Sequence, residues 1–202
     1  MSIGPDLAGM LRRCWQWLVR PSARFSVLAL AGSGVVAGVL LVAAGYKANE
    51  YSLTTEFCIS CHEMRDISYA EYKESIHYSN RSGIRVSCAD CHEPHEFGPM
   101  IVRKLQASTE VWGSWTGVIN TPEKFEARRM HMAEWEWARQ KASGSRECRN
   151  CHNFDAMSPA KQKQSNYKRH VKAKDAGKTC IDCHKGIAHK LPKEYEEPDD
   201  EE

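Results

Sequence analysis

The chain has little excess of either charge and only one long apolar run. Its formal net charge is +2, and its charged residues, 27% of the total, are mixed along most of its length. This pattern argues against a nucleic-acid-binding surface, which needs clustered Lys and Arg. The exception is the acidic stretch 194–202, for which the sequence predicts a solvated, disordered tail. An acidic segment that docks a partner is the alternative.

The apolar run covers 22 residues without a charge, Phe25–Tyr46. At 1.5 Å per residue, a helix of this length crosses about 30 Å of hydrocarbon. We therefore predict a transmembrane helix at 25–46. Because Arg12, Arg13, Arg20 and Arg24 precede the run, the positive-inside rule places 1–24 in the cytoplasm and Lys47 onward on the other side. Trp15 and Trp17 fit an interfacial position.

A cleaved signal peptide is the competing interpretation of this run. Ala43, Ala44 and Gly45 are small enough to form a cleavage site. The apolar stretch is longer than the 7–15 residues usual in a signal peptide, however. The sequence therefore favours a helix that stays in the protein as a membrane anchor.

Four copies of the pattern Cys-x-x-Cys-His follow the anchor. Their cysteines are Cys58 and Cys61, Cys88 and Cys91, Cys148 and Cys151, and Cys180 and Cys183, and their histidines are His62, His92, His152 and His184. This pattern attaches c-type haem, because two thiols add to the porphyrin and the adjacent imidazole binds iron. Zinc would need pairs of motifs to converge, and a disulfide across two residues is strained. Four copies predict four covalent haems.

The space available predicts how these haems are packed. From Lys47 to the end there are 156 residues, or 39 for each of four haems, which is too few to wrap each porphyrin in an apolar core. We expect the haems themselves to form the core. The predicted fold class is mainly α with much irregular chain, as one transmembrane helix followed by a multihaem cytochrome c domain.

The remaining histidines indicate that this domain is built from two repeated dihaem halves. In each half, one histidine lies between the two motifs and another follows the second motif, at His77 and His95 and then at His170 and His189. One extra histidine per haem is the number that six-coordinate iron with two imidazoles requires. His131 falls outside the repeat and is assigned to the surface.

Two helices are predicted between the halves. Apolar positions recur with near-helical spacing over 99–119, and Thr121 followed by Pro122 is typical of a helix start, with Gly144 near its end. These limits give a first half at 47–120, a linking helix at 121–144 and a second half at 145–193.

With its anchor and four motifs, the whole chain resembles the NapC/NirT family of membrane-anchored tetrahaem cytochromes. The runs Glu56–Met64, Glu147–Phe154 and Thr179–Lys190 carry the resemblance most clearly. It implies a bacterial inner-membrane quinol dehydrogenase that oxidises menaquinol or ubiquinol and reduces a periplasmic reductase. Nitrate reductase is the expected acceptor, and nitrite reductase or another reductase is the alternative.

The resemblance also implies site residues beyond the haem motifs. Lys104 and Glu110 match the lysine and acidic pair at the quinol site of the family, and a quinol needs a proton acceptor beside the first haem. On a helix they lie about 120° apart and can flank a ligand. Met64 matches a methionine that binds the first iron in a shorter member, so either His62 or Met64 serves that haem.

Two other functions remain open at this stage. A terminal multihaem reductase is disfavoured because no Cys-x-x-Cys-Lys motif is present and nearly every iron has a candidate second ligand. An anchor whose main task is to hold a partner at the membrane would need no quinol site. Whether the protein is best described as an enzyme is left open.

Overall fold

The computed structural model describes residues 7–18 and 24–196. Within these residues the chain is helical and irregular and contains no strand, as the predicted fold class requires. It divides into two compact units, Met1–Asn49 and Glu50–Glu202. Part of the predicted cytoplasmic segment and most of the acidic tail, residues 197–202, lie outside the described residues.

The first unit contains a short helix and most of a long one. Helix α1 spans Leu7–Leu18 and was not predicted, although apolar residues recur at positions 7, 10, 11, 15 and 18 of the sequence. Helix α2 spans Val27–Ser52 and is, among the described residues, the one helix long and apolar enough to cross a membrane. It continues beyond the predicted limit at Tyr46 because a charged residue such as Lys47 ends an apolar segment without breaking a helix. Its length and composition are consistent with a single-pass membrane anchor.

The second unit is built from short helices around two longer ones. In chain order they are α3 (Thr55–Cys58), a π-helix (Met64–Ser68), α4 (Tyr69–Tyr72), α5 (Cys88–His92), α6 (Phe97–Trp115), α7 (Pro122–Ala142), α8 (Arg146–Arg149), two 3₁₀ turns (Phe154–Ala156 and Pro159–Lys161), α9 (Gln164–Asp175) and α10 (Cys180–Cys183).

The two longer helices confirm the sequence prediction between the motifs. Helix α7 begins where the Thr121-Pro122 pair predicts it, and the Thr121 hydroxyl accepts a hydrogen bond from the Lys124 amide at 3.3 Å. Pro122 occupies the first helical position, where a missing N–H costs nothing. Helix α6 ends at Trp115, a few residues before the predicted limit at Ile119, and Gly117 adopts a positive φ of 76° just beyond it.

The second unit buries very little apolar surface of its own. Among the described residues the buried apolar side chains are Tyr72, Met100, Ile119, Phe125 and Ile181. A unit of about 150 residues normally buries far more, because most of its stability comes from such burial. The protein atoms alone therefore do not form a sufficient core, in agreement with the expectation that haem fills it.

Candidate functional site

Local hydrogen bonds hold the helix starts of the second and fourth motifs. At α5 the Ser87 amide donates to Asp90 Oδ2 at 2.7 Å and the Asp90 amide donates to the Ser87 hydroxyl. At α10 Thr179 and Asp182 make the same reciprocal cap, with the Thr179 amide 2.8 Å from Asp182 Oδ2. Burial opposes the charge of Asp182, but hydrogen bonds from Lys141 and Thr179 lower its pKa to about 2. The motif aspartates thus fix where these helices begin.

The third motif starts differently and is tied to the fourth. Its cap residue Ser145 has a φ of 53°, in the left-handed region, and is fully buried. The Ser145 hydroxyl accepts a hydrogen bond of 3.1 Å from the amide of Ile181. Because Ile181 lies between the two cysteines of the fourth motif, this bond joins two haem-attachment segments.

The segments that carry the four motifs contact one another in sequence order. Helix α3, which carries Cys58, packs against α5, which carries Cys88 and Cys91, and α5 packs against α8, which carries Cys148. The Ser145 cap of α8 is hydrogen-bonded to Ile181, between Cys180 and Cys183. Groups attached at these positions would form one continuous series from the first motif to the fourth.

Three pairs of imidazole rings face each other at nearly the same separation. Their ring centroids are 6.2 Å apart for His77 and His152, 6.2 Å for His92 and His189, and 6.0 Å for His170 and His184. A metal–imidazole bond is about 2 Å long, so two imidazoles on opposite sides of one iron hold their ring centroids roughly 6 Å apart. Each pair contains one motif histidine and one histidine of the repeat.

Burial favours the neutral, metal-binding state for two of these imidazoles, His184 and His189, whereas Glu136 outweighs the effect of burial and raises the pKa of His92. Burial lowers the pKa of His189 to about 4 and lowers the pKa of His184 below its ordinary value. Neutral imidazole is the form that binds a metal. Together with four thiol pairs, the ring pairs fit four covalent haems.

The first motif has a different environment. His62 Nε2 lies 2.9 Å from the Asn120 carbonyl, and His62 Nδ1 lies 3.3 Å from Glu63 Oε2. Met64, the alternative ligand, is half-buried and begins the π-helix Met64–Ser68. Such short π-helical segments are frequent at functional sites. Among the described residues no second imidazole faces His62.

His95 is not brought against another imidazole within the described part of the chain. Its Nδ1 lies 3.4 Å from Asn150 Nδ2, its Nε2 lies 3.8 Å from Asp90 Oδ1, and 59% of its side chain is exposed. His131, assigned to the surface from the sequence, is exposed on α7.

Two carboxylates that no sequence motif marks lie behind the imidazoles of the His92–His189 pair. Glu136 Oε1 is 3.3 Å from His92 Nδ1, and Glu71 Oε2 is 4.0 Å from His189 Nδ1. Burial raises the pKa of Glu136, but the charges of His92 and Arg139 outweigh it and hold that pKa below its ordinary value. Spacing gives a hint for Glu136 alone, since Arg139 follows it by one helical turn.

The quinol-site candidates Lys104 and Glu110 contact different partners. The Lys104 ammonium donates to the hydroxyl of Ser52 at 2.6 Å. Glu110 Oε1 pairs at 3.0 Å with Arg103, a buried residue that the sequence did not single out. Arg103 also donates from Nε to the His92 carbonyl at 3.3 Å. The two candidates therefore lie on separate sides of α6, as their 120° offset predicts.

Comparison with known proteins identifies relatives over almost the whole chain. The family model "NapC/NirT cytochrome c family, N-terminal region" matches residues 20–194. The chain is 52% identical to "Cytochrome c-type protein NapC" of Escherichia coli K12 over 184 residues, 91% of this chain and 92% of that protein. It is 50% identical to "Denitrification system component NirT" of Stutzerimonas stutzeri, with the same coverage.

A third relative is longer. "Cytochrome c-type protein TorC" of Escherichia coli K12 is 50% identical over 184 residues, which are 90% of this chain but 47% of that protein. No solved structure matches the chain. The family match, the four motifs and the facing imidazoles agree with one another: the chain belongs to the NapC/NirT cytochrome c family, as a membrane-anchored cytochrome that holds four covalent c-type haems.

Proposed function

We propose that this cytochrome oxidises membrane quinol and passes the electrons along its haems to a periplasmic reductase. The observation that carries the proposal is the unbroken series of motif segments, in which α3 packs on α5, α5 packs on α8, and Ser145 at the start of α8 is hydrogen-bonded to Ile181 of the fourth motif. When bound, the haems supply four one-electron carriers. In this proposal the N-terminus is cytoplasmic, α2 spans the inner membrane and the haem unit is periplasmic.

The ring pairs support an assignment of ligands to haems. We infer that His92 and His189 bind the second iron, His152 and His77 the third, and His184 and His170 the fourth. The 6.0–6.2 Å separation of the ring centroids supports each pair. His62 or Met64 remains for the first iron. His95, a candidate from the repeat, has Asn150 and Asp90 as neighbours instead.

Quinol oxidation releases two protons as well as two electrons, so the site needs polar groups beside the first haem. In the proposed mechanism the Glu110 carboxylate accepts a proton, while Arg103 holds it in place. The Lys104 ammonium, held by Ser52, stabilises negative charge that develops on the quinol oxygen. Ser52 follows Tyr46 by six positions on the same helix, a rise of about 9 Å. Such a position is reachable by a carrier dissolved in the bilayer.

A periplasmic nitrate reductase is the proposed electron acceptor. The relatives named NapC and NirT are 52% and 50% identical to this chain over 92% of their own lengths. The 52% and 50% identities do not separate the two, so a reductase of nitrite is the second candidate acceptor.

Stopped-flow reduction of the full-length, haem-loaded protein by menaquinol and ubiquinol analogues tests the proposal. We expect rapid reduction of the haems and, in Lys104→Gln or Glu110→Gln, a rate lowered by about a hundredfold, the range typical of a lost acid–base or charged group. Lys161→Gln and Glu134→Gln change exposed residues elsewhere and serve as matched controls. Wild-type haems that no quinol reduces would refute quinol oxidation, and steady turnover of nitrite with an artificial donor would instead identify a terminal reductase.

A further inference from the structure

We propose that Glu136 and Glu71, one behind each imidazole of the His92–His189 pair, lower the reduction potential of the second haem below those of the third and fourth. The proposal rests on the ligand assignment above. Both carboxylates lie beside the imidazole ligands and would act on the haem only through those imidazoles.

Glu136 is held firmly against the first of these imidazoles. Its Oε1 lies 3.3 Å from His92 Nδ1. Arg139 donates to both carboxylate oxygens, at 2.9 and 2.6 Å, and Gln140 donates to Oε1 at 2.8 Å. A carboxylate that accepts the second ring N–H of a metal-bound histidine fixes the tautomer and makes the imidazole a stronger electron donor.

Glu71 occupies the corresponding place behind the second imidazole. Its Oε2 lies 4.0 Å from His189 Nδ1, an ion-pair distance that is too long for a hydrogen bond, and this ring nitrogen is buried without a hydrogen-bond partner among the described residues. Arg129 donates to the two oxygens of Glu71 at 3.0 and 2.7 Å, and the Lys190 amide donates to Oε2 at 3.0 Å. Glu71 therefore acts on this imidazole through its charge.

The neighbouring guanidinium groups do not cancel these negative charges. Arg139 also faces Glu147 at 3.6 Å, where Arg146 joins both Glu147 and Glu96. That cluster therefore contains three carboxylates and two guanidinium groups, with Glu136 among the three. This cluster keeps a net charge of −1, and Arg103, which donates to the His92 carbonyl, is itself paired with Glu110.

The second cluster is smaller but has the same balance. Arg129 is shared between Glu71 and Glu126, at 2.7 and 2.6 Å, which gives two carboxylates and one guanidinium group. Oxidised haem iron carries one more positive charge than reduced iron, so nearby negative charge favours the oxidised state and lowers the potential. The effect is strengthened by burial, since only 9% of the Glu71 side chain and 18% of the Glu136 side chain are exposed.

The other ring pairs lack such carboxylates in the part of the chain that the structure describes. His170 Nδ1 contacts the neutral amide oxygen of Gln162 at 2.6 Å. His77 Nδ1 is buried with no hydrogen-bond partner among the described residues. No carboxylate lies within ion-pair distance of His152 or His184 among these residues. The second haem is therefore expected to have a lower reduction potential than the third and fourth, because only its two imidazoles have carboxylate neighbours among the described residues.

Spectropotentiometric titration of the haem-loaded protein, with EPR to resolve the individual low-spin signals, tests the proposal without any quinol or reductase. In Glu136→Gln we expect the ratio of reduced to oxidised iron of one haem to rise about tenfold at fixed ambient potential, which equals 59 mV for a one-electron couple. The other three potentials should hardly move. Glu134→Gln, two residues away on the exposed side of α7, is the matched control.

The reciprocal variant Gln162→Glu places a carboxylate behind His170 and keeps every native acidic residue. We expect it to lower the potential of a different haem, the fourth, by a similar factor. Four unchanged potentials in a fully loaded Glu136→Gln protein would overturn the proposal. If that variant fails to load four haems, an unchanged potential in Gln162→Glu overturns it instead. Because quinol plays no part in these titrations, their outcome is separate from that of the proposed function.

Discussion

Two of the facing imidazole pairs join residues that are far apart in the chain. His77 and His152 are 75 positions apart and His92 and His189 are 97 apart, whereas His170 and His184 lie within one half of the repeat. The repeat predicts one extra histidine for each haem but does not identify which rings meet, and three such pairs are found among the described residues. Sequence spacing constrains only residues that are close in the chain. The contacts of His77 with His152 and of His92 with His189 depend on how the whole second unit packs.

Replacing His77 tests the assignment at the level of one side chain. We expect His77→Ala to convert one haem in four from low-spin to high-spin, because the third iron loses an axial imidazole. EPR and optical spectra of the loaded protein give the measurement. His95→Ala is the control and should keep four low-spin haems. A high-spin signal in His95→Ala with none in His77→Ala would reverse the assignment.

Ser145 provides a second test at this scale. Ser145→Ala removes the hydroxyl that accepts the Ile181 amide, leaving a buried N–H without a partner, and should lower the free energy of unfolding by about 1–3 kcal/mol. Alanine and serine are similarly disfavoured at a φ of 53°, so the backbone contributes little to the difference. Denaturant titration of the loaded protein measures it. Ser79→Ala, at an exposed position, should have almost no effect.

At the scale of helices, sequence predicts beginnings better than lengths. The Thr121-Pro122 start of α7 is encoded in two adjacent residues. Helix α1 was not predicted, although the spacing of its apolar residues is helical. The end of α2 at Ser52 could not be predicted from hydropathy, since the end of an apolar run and the end of a helix are set by different forces: solvation and backbone hydrogen bonding.

The cap of α10 gives a pH-dependent prediction. Lys141 and Thr179 lower the pKa of Asp182 to about 2 against burial, so the folded state binds a proton less readily than the unfolded chain. Its stabilising contribution is fully present above the unfolded pKa, about 4, and is lost as the pH falls from about 4 to about 2. The stability difference between wild type and Asp182→Asn should therefore be about 1 kcal/mol at pH 6 and vanish near pH 2.

Denaturation at a series of pH values measures this difference. Asp175→Asn, at an exposed position, is the control and should show no comparable pH dependence. A difference that persists unchanged at pH 2 would mean that the carboxylate charge is not what stabilises the cap.

At the scale of the molecule, the four haems could be predicted from the sequence more firmly than the fold around them. The chemistry of haem attachment fixes the pattern Cys-x-x-Cys-His, so the pattern can be recognised from the sequence alone. The contacts of Glu136 and Glu71 depend on how α7 and α4 pack around the ring pairs, and nothing local in the sequence marks those two carboxylates among the acidic residues. Among the described residues only five apolar side chains are buried, too few to form a core without the haems.

Removing one haem should therefore affect the whole second unit. In Cys180→Ser combined with Cys183→Ser we expect one covalent haem fewer per chain and proteolysis faster on the order of tenfold, because a bound group that the folded state alone holds contributes directly to stability. Mass spectrometry and limited proteolysis of the full-length protein measure the two effects. Cys14→Ser, outside the motifs, should change neither. Unchanged protease resistance with three haems would contradict a haem-dependent core.

Arg129 joins Glu71, near the first motif, to the carbonyl of Lys190, next to His189. These two contacts of Arg129 have a consequence for biosynthesis. In the proposed orientation the residues after α2 cross the membrane in chain order, so His92 reaches the periplasm before His189. The second haem can therefore be attached to its cysteines early in export. Its second ligand, His189, and the contacts of Arg129 with Glu71 and Lys190 form only after the C-terminal residues have crossed the membrane.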